Sequence, residues 1–315
     1  MKIIVTDSVA EEAINLLKEK HEVLFKELRG EELAKEIGEY DAIMVRSATK
    51  LTKEIIENAK NLKVIGRAGI GVDNIDVKTA SEKGIYVVNS PGGSTRSVAE
   101  LTIGHMLSLA RHIPYADRSI REGKWEKKKL KGIELSGKKL GIIGFGRIGK
   151  EVCKLSKAFE MECMAYDPIV SDEEIKKYNV NPVSLEELLR NSDFITIHTP
   201  LTEKTRHMIS YEQFDIMKKN AYIINCARGG IIDEDALYDA LKDEKIAGAA
   251  LDVYENEPYE GKLTELENIV FTPHLGASTK EGQIRAGTIC AEQILKVLDG
   301  KEPDFWVNRD LMKSY

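Results

Sequence analysis

The chain has 315 residues, of which 42% are hydrophobic and 31% charged, and it carries a formal net charge of -6 at pH 7. This length favours about two domains, and the negative charge argues against a general nucleic-acid binder, whose surface would carry an excess of lysine and arginine. Because no run approaches the roughly eighteen apolar residues of a membrane span and the start of the chain has no secretory signal, we expect a cytoplasmic protein without a membrane partner.

The first ninety residues alternate short apolar runs with longer amphipathic segments, a pattern typical of parallel strands joined by helices. Five strands are predicted, at residues 3–6, 22–25, 42–45, 64–65 and 85–88. The loop at residues 90–94 is rich in turn-forming residues and predicts a crossing point into a second domain. The predicted fold class is therefore α/β, with parallel sheets wound on both faces.

A long helix is predicted next, at residues 98–113. Its apolar residues occupy more than one helical face, so it should be buried nearly all round. Two interpretations fit equally: the helix is part of a domain core, or it forms the contact of a homodimer or higher homo-oligomer. The residues that carry this prediction are Leu101, Ile103, Met106, Leu107, Leu109 and Ile113.

Six further strands are predicted in the second half of the chain, which is the number of a full dinucleotide-binding fold. They lie at residues 140–143, 163–166, 194–198, 222–225, 248–253 and 269–272. A last helical pattern at residues 283–298 follows the sixth strand. The pattern does not indicate which domain this helix packs against.

A glycine motif separates the first of these strands from a helix-like segment, where the pyrophosphate of a dinucleotide would bind. The three glycines allow a tight turn, close approach of backbone N–H groups to phosphate, and close packing of helix on strand. Asp167 follows the next strand, eighteen residues after the last glycine, and can accept both hydroxyls of an adenine ribose, which favours NAD over NADP. The motif is Gly144-Phe145-Gly146-Arg147-Ile148-Gly149.

Within this motif, Arg147 and Ile148 have two interpretations, either contacts to the cofactor phosphates or a solvated arginine and a core isoleucine. The four cysteines, at positions 153, 163, 226 and 290, have no Cys-x-x-Cys spacing and no histidine at ligand distance. We therefore predict reduced thiols, no disulfide framework and no metal site.

Polar residues at the ends of the late strands are the candidates for catalysis, because loops at that edge of a parallel sheet line the ligand crevice. Arg228 precedes two glycines that leave room for a small substrate, and its guanidinium matches a carboxylate bidentately. The alternative is an arginine that caps a turn. His274 can exchange a proton near neutral pH, although a lone histidine is often structural. His198, at the end of another predicted strand, competes with His274 for this role by its position.

A carboxylate beside the far nitrogen of a catalytic histidine would fix its tautomer. Glu257 precedes Pro258, which keeps it extended and able to point inward. Glu255 and Glu260 lie nearby, and the residues alone do not choose among the three. His198 is followed by Thr199 and Pro200, which fits a loop that lines a cofactor, or a plain strand end.

Taken together, these motifs resemble the D-isomer-specific 2-hydroxyacid dehydrogenases, most closely the D-3-phosphoglycerate dehydrogenases. The resemblance covers nearly the whole chain. It implies a flavodoxin-like substrate domain formed by residues 1–95 and 283–315, with a Rossmann NAD-binding domain inserted at residues 96–282. The matching segments are residues 45–50, 66–69, 84–90, 144–149, 198–200, 225–230, 250–253 and 273–280.

The resemblance also implies roles for individual residues. Arg228 would anchor the substrate, His274 would be the acid/base, and Glu257 would be its partner. The implied activity is NAD-dependent oxidation of 3-phospho-D-glycerate, the first step of serine synthesis. The cofactor-binding residues implied or inferred are Gly144, Gly146, Arg147, Ile148, Gly149, Asp167, His198, Thr199, Pro200, Cys226, Asp252 and Gly276, with Asp252 near the nicotinamide.

A phosphorylated substrate requires cationic donors that plain 2-hydroxy acids do not. Arg46, Arg67 and Gly69 match the family pattern in the first domain, whereas the lysine run with Lys127 and Lys129 is by itself typical of a solvated face. A glyoxylate or hydroxypyruvate reductase shares the same three catalytic residues and remains the enzymatic alternative. An NAD-sensing corepressor is the alternative from another class of protein.

Overall fold

The computed structural model describes residues 1–312 and divides the chain into two compact units. Among the described residues, the first unit comprises Met1–Thr95 and residues 277–312, and the second comprises Arg96–Gly276. Within residues 1–312, none of the helices combines the length and the apolar character needed to cross a bilayer. The two units are α/β, as predicted.

The first unit begins with alternating strands and helices. Its elements are β1 (Lys2–Val5), α1 (Glu11–Lys18), β2 (Glu22–Phe25), α2 (Gly30–Glu36), a 3-10 helix (Ile37–Glu39), β3 (Ala42–Val45), α3 (Lys53–Asn58), β4 (Val64–Arg67), α4 (Val77–Glu82) and β5 (Tyr86–Val88). The chain returns to this unit as α12 (Lys280–Leu298) and α13 (Arg309–Met312).

The five strands of the first unit form a parallel sheet in the order β2-β1-β3-β4-β5. This is the flavodoxin-like order, and both faces are covered by helices, which explains why the strands are continuous apolar runs. Ile3, Val5 and Met44 are completely buried in one core with Ile294 of α12. The terminal helix therefore belongs to the first unit.

The second unit contains the remaining elements. They are α5 (Thr95–Arg111), α6 (Ile113–Arg121), β6 (Lys139–Ile143), α7 (Arg147–Lys157), β7 (Glu162–Tyr166), α8 (Asp172–Lys176), β8 (Asn181–Pro182), α9 (Leu185–Asn191), β9 (Phe194–Ile197), α10 (Tyr211–Ile216), β10 (Tyr222–Asn225), α11 (Glu234–Lys242), β11 (Gly248–Leu251), a 3-10 helix (Lys262–Glu265) and β12 (Ile269–Phe271).

The sheet of the second unit is parallel, with the order β12-β11-β10-β9-β6-β7-β8. The order reverses between β6 and β9, and ligands of such sheets bind beyond the carboxyl ends of the strands at this switch point. The sheet has seven strands in the described chain, so the prediction of six was wrong. The missed strand, β8, is two residues long, includes Pro182 and pairs only with β7 at the edge, and so lacks the apolar run that predicts a strand.

Two predicted boundaries differ from the structure. The second boundary between units lies after Gly276, six residues before the predicted one at 282, because α12 begins at Lys280 and packs in the first unit. The predicted helix at 98–113 ends at Arg111, because His112 adopts a left-handed conformation with φ of 53° before α6 begins. Most of the apolar side chains of α5 lie in the core of the second unit, whereas Ile113 is half-exposed.

Candidate active site

The glycine turn between β6 and α7 has a conformation that side chains would not allow. Gly144 has a φ of +89°, and a Cβ there would lie 2.7 Å from the backbone carbonyl of His198. A Cβ at Gly149 would lie 2.2 Å from the Gly144 carbonyl oxygen, so this glycine lets α7 pack on the turn. Around Gly146, by contrast, no described atom beyond Gly146 and its two chain neighbours lies within 4 Å of a Cβ position. The amino end of α7 is therefore open to a ligand.

Asp167 follows β7 and faces this turn. One carboxylate oxygen accepts a hydrogen bond from the amide of Phe145 at 2.7 Å, and the other accepts from the amides of Ile169 at 2.8 Å and Val170 at 3.0 Å. A carboxylate has about four lone-pair sites, so about one remains to accept a ribose hydroxyl while these three amides are bound. The open glycine turn, the helix amino end and this carboxylate fit a dinucleotide. The sequence did not indicate that Asp167 also holds the turn itself.

His198 directly follows β9 at the same edge. Its Nε2 lies 2.8 Å from the Thr196 hydroxyl, and its Nδ1 is buried without a hydrogen-bond partner among the described residues. Burial lowers the pKa of His198 to about 3, so the ring is neutral near pH 7. This environment argues against the acid/base role that position alone left open for His198. Thr199 and Pro200 continue the loop beside the glycine turn.

Other predicted cofactor residues lie on the same edge. Arg147 is exposed and Ile148 is half-buried against the core, in the first turn of α7. Cys226, directly after β10, is buried, and burial raises the pKa of its thiol to about 12, so it is an inert thiol. Gly276 is buried beside Asp252, and a Cβ there would lie 3.1 Å from that carboxylate.

The structure places one of the three candidate glutamates against His274. The imidazole Nδ1 lies 2.8 Å and 3.1 Å from the two carboxylate oxygens of Glu257. One of these oxygens also accepts the amide of Tyr254 at 3.2 Å, which orients the carboxylate. Glu255 instead contacts Nε2 of His207 at 2.8 Å. Because Nδ1 of His274 faces an acceptor, the neutral ring presents an unprotonated Nε2 that can take a proton.

The backbone around His274 is organised by Asp252, which follows β11 and is only 1% exposed. Its Oδ1 accepts from the Thr272 hydroxyl at 2.6 Å and the Leu275 amide at 2.7 Å, and its Oδ2 accepts from the Gly276 amide at 2.8 Å. The backbone carbonyl of Asp252 accepts a hydrogen bond from the amide of His274, and the backbone of His274 has a φ of +55°. These bonds hold a non-glycine residue in the sparsely populated left-handed region.

A buried histidine on α5 extends this network. Nε2 of His105 lies 3.0 Å from the Thr272 hydroxyl. Since that hydroxyl donates its single proton to Asp252, His105 must be the donor to its oxygen. Burial lowers the pKa of His105, with a partial opposing effect from Asp252. Sequence reasoning missed His105 because its helix has an apolar pattern in which one histidine carries no signal.

Arg228 lies on the loop after β10, which Asn225 organises. The Asn225 side chain accepts the amide of Ala227 at 3.0 Å and donates to the carbonyl of Arg228 at 2.9 Å. A Cβ at Gly229 would lie 1.8 Å from the carbonyl oxygen of Tyr254, so glycine allows this loop to lie on the loop that carries Glu257. Strands β10, β11 and β12 are parallel neighbours, which brings these loops to one edge.

The predicted phosphate-binding arginines belong to the first unit. Arg46 follows β3, its amide donates to Asp7 at 2.5 Å, and its guanidinium donates to the carbonyl of Ser8 at 3.2 Å. Arg67 ends β4, and a Cβ at Gly69 would lie 1.4 Å from its guanidinium, so Gly69 makes room for that side chain.

Lys127 and Lys129 are exposed in the second unit, and Lys129 pairs with Glu126 at 2.7 Å. Within the described residues, no group of three or more His, Cys, Asp or Glu side chains could hold a metal ion.

Comparison with known proteins adds independent observations. Residues 103–276 match the family described as D-isomer specific 2-hydroxyacid dehydrogenase, NAD binding domain. Over 311 residues the chain is 55% identical to the D-3-phosphoglycerate dehydrogenase of Methanocaldococcus jannaschii, covering 98% of this chain but 59% of that protein. Over 303 residues it is 52% identical to the hydroxypyruvate reductase of Thermotoga maritima, covering 94% of this chain and 98% of that protein.

Among solved structures, a glyoxylate reductase from Paecilomyes thermophila is similar with a TM-score of 0.90 and 30% sequence identity, covering 98% of this chain and 99% of that one. The present chain thus spans 59% of the length of its M. jannaschii relative and nearly all of the T. maritima relative.

Proposed function

Because this chain belongs to the D-isomer specific 2-hydroxyacid dehydrogenases, we propose that it oxidises 3-phospho-D-glycerate at C2 to 3-phosphohydroxypyruvate with NAD, the first step of serine synthesis. The observation that carries the dehydrogenase chemistry of this proposal is the pair formed by His274 and Glu257 at 2.8 Å, at the sheet edge that also bears Arg228. The name of the M. jannaschii relative supports the phosphorylated substrate.

The cofactor is NAD, which supplies a hydride acceptor at nicotinamide C4 when bound. The amino end of α7 and the amides around Gly146 would hold the pyrophosphate. Asp167 would accept hydrogen bonds from the adenine ribose. These residues lie in the part of the chain that matches the NAD binding domain of the family.

The residues of the chain would perform the remaining steps. Arg228 would bind the substrate carboxylate through its guanidinium and orient C2. Nε2 of His274 would take the proton of the C2 hydroxyl as general base. Glu257 would stabilise the resulting imidazolium, while Asp252 keeps the His274 loop in place. In the reverse direction His274 would return the proton as general acid.

For the substrate phosphate we propose Arg46 and Arg67, because Arg46 directly follows β3, Arg67 ends β4, and Gly69 leaves space for the Arg67 guanidinium. A dianionic phosphate favours planar guanidinium donors. Lys127 and Lys129 are exposed and are the weaker candidates, since Lys129 is engaged by Glu126.

The second candidate function is reduction of hydroxypyruvate. It is favoured by the T. maritima relative, which is named hydroxypyruvate reductase and is covered over 98% of its length. The two functions would share the same catalytic residues and differ in the phosphate contacts. Initial rates of NAD reduction with 3-phosphoglycerate and with glycerate, and of NADH oxidation with phosphorylated and plain hydroxypyruvate, separate them. A kcat/KM that favours the plain acids would reject the phosphoglycerate proposal.

We also propose that the protein is a cytoplasmic homodimer that associates through the 98–113 region. The half-exposed Ile113, the first residue of α6, supports this contact, and the half-exposed Ile120 near the end of α6 would extend it. The four free cysteines fit a reducing compartment. Analytical ultracentrifugation tests the assembly, and a monomer at micromolar concentration would contradict it.

A further inference from the structure

Asp7 is a buried carboxylate that the proposed reaction does not use. It lies two residues after the end of β1, and 4% of it is exposed. One carboxylate oxygen accepts hydrogen bonds from the hydroxyl of Thr49 at 2.7 Å and from the guanidinium of Arg29 at 2.7 Å. The other accepts the amides of Arg46 at 2.5 Å and Thr49 at 3.2 Å. Four donors thus meet the four lone-pair sites of one carboxylate.

The same loop is held from its other side by Asn74. The side-chain amide of Asn74 donates to the carbonyl oxygens of Arg46 at 2.7 Å and Thr49 at 2.6 Å. Both ends of the loop at residues 46–49 therefore have their backbone N–H groups bound to Asp7 and their carbonyl groups bound to Asn74. The loop is clamped at both ends by two side chains that come from other parts of the unit.

The charge of Asp7 is compensated locally. The Arg29 guanidinium that bonds Asp7 also donates to the carbonyl oxygens of Thr6 and Leu28, each at 2.8 Å. The Thr49 hydroxyl donates to Asp7, so the Thr6 hydroxyl, 2.8 Å away, donates to the Thr49 oxygen. A fully bonded polar network of this kind specifies one conformation more strictly than apolar packing does.

Between its clamped ends, the loop exposes Ser47 and Ala48, whose amides have no hydrogen-bond acceptor among the described residues. With the guanidinium of Arg46, these groups make a surface that presents donors and one positive charge. A loop that is ordered before binding loses less conformational entropy when it captures an anion. The clamp thus keeps Arg46 and its neighbours in a fixed arrangement.

We infer that Asp7 is a positioning residue for recognition of the substrate phosphate, acting through the loop at residues 46–49. This inference rests on the proposed function, because it assigns the loop to the phosphate of the phosphorylated substrate. Asp7 does not touch the substrate. It determines how well phosphorylated and plain substrates are distinguished, and it leaves the proton transfer at His274 unaffected.

The test is Asp7→Asn in the full chain. The substitution preserves size but replaces one acceptor oxygen by an NH2 group, which faces donors in either orientation. We expect the KM for the phosphorylated substrate to rise by about 10-fold or more, because a buried donor is left unsatisfied. The KM for the plain substrate should stay within about twofold and kcat within about threefold, since the change lies outside the reacting groups.

A matched control is Asp41→Asn in the same unit. Asp41 also accepts a backbone amide, that of Lys2 at 2.9 Å, and the ammonium of Lys63 at 3.1 Å, but it has no bond to the loop at residues 46–49. If Asp41→Asn raises the KM for the phosphorylated substrate as much as Asp7→Asn does, a general loss of stability explains the effect and the inference is overturned.

Hydrogen–deuterium exchange gives a readout independent of activity. Asp7→Asn should accelerate exchange in peptides that cover residues 44–51, and Asp41→Asn should not. Unchanged exchange in Asp7→Asn would overturn the claim that Asp7 holds the loop at residues 46–49 in place. An unchanged KM ratio between the two substrates, in an enzyme whose wild type prefers the phosphorylated one, overturns the positioning role alone. A wild type that prefers the plain substrate overturns the proposed function itself.

Discussion

The comparison of Glu257→Gln with Glu255→Gln tests the assignment of the histidine partner. The two glutamates are two residues apart in one loop, yet Glu257 contacts His274 and Glu255 contacts His207. Each substitution removes one negative charge and keeps the side-chain length. The pair therefore separates the effect of the specific contact from the effect of charge in the loop.

The expected magnitude follows from the charge that develops on His274 when it takes a proton. Two opposite unit charges about 4 Å apart attract by about 1 kcal/mol in water and by about 4 kcal/mol at the dielectric typical of a protein surface. The side chains of His274 and Glu257 are 52% and 39% exposed, so solvent screens the pair considerably. A loss of about 2 kcal/mol corresponds to a roughly 30-fold lower kcat for Glu257→Gln.

The assay is initial-rate kinetics with the better substrate of the wild type, together with NAD affinity by isothermal titration calorimetry. Glu257→Gln should lower kcat and leave the Kd of NAD within about twofold, because the contact lies on the histidine and not on the nucleotide turn. Glu255→Gln should retain kcat within about twofold. Equal losses in both variants, or near-normal turnover of Glu257→Gln, would refute the assignment.

Four further predictions follow from the same site. His274→Ala should lower kcat by about 100-fold or more while NAD affinity is retained, as expected for a general acid/base, and near-normal turnover would contradict the role. Asp167→Asn should weaken NAD binding by about 10-fold and reduce the preference for NAD over NADP, and calorimetry with both cofactors would reject the ribose contact if the ratio were unchanged. Gly144→Ala should lower the free energy of unfolding by about 1–3 kcal/mol, because φ is +89° and the new Cβ would lie 2.7 Å from a backbone carbonyl; urea unfolding measures this, and wild-type stability would show that the turn relaxes. Burial holds the pKa of His198 near 3 in the folded chain, below the ordinary histidine pKa of about 6.5, so the unfolded state takes the proton first and this contribution to stability is lost as the pH falls from about 6.5 towards 3. Across this range the free energy of unfolding changes by at most about 1.4 kcal/mol per pH unit because of this histidine. His198→Asn should therefore flatten the pH dependence of the free energy measured by urea unfolding. An unchanged pH dependence in the variant would contradict burial of a neutral ring.

The arrangement of the second unit separates positioning from chemistry. Asp252 bonds the backbone of the loop that carries His274, whereas Glu257 bonds the imidazole itself. A change at Asp252 therefore alters where His274 lies, and a change at Glu257 alters the stability of its charged form. His105 acts one step further away, through the Thr272 hydroxyl.

Much of the architecture was predictable because its signals are local. A strand buried on both faces must be a continuous apolar run, so all eleven predicted strands match observed ones or differ from them by at most two residues at an end, as at residues 22–25 and 222–225. The glycine turn could also be predicted from the sequence, because a backbone with a φ of +89° strongly favours glycine, and glycine occupies position 144. Asp167 followed from its spacing along the chain.

What remained open depends on which segments become neighbours in space. Glu255, Glu257 and Glu260 have similar local sequence, and the contact with His274 arises because β11 and β12 are adjacent in the sheet. The edge strand β8 is too short to leave a pattern. The link from His105 to Asp252 joins residues 147 positions apart, and no periodicity in the sequence encodes such a hydrogen bond. Local conformational rules thus account for the elements, and long-range packing accounts for the partners of each polar side chain.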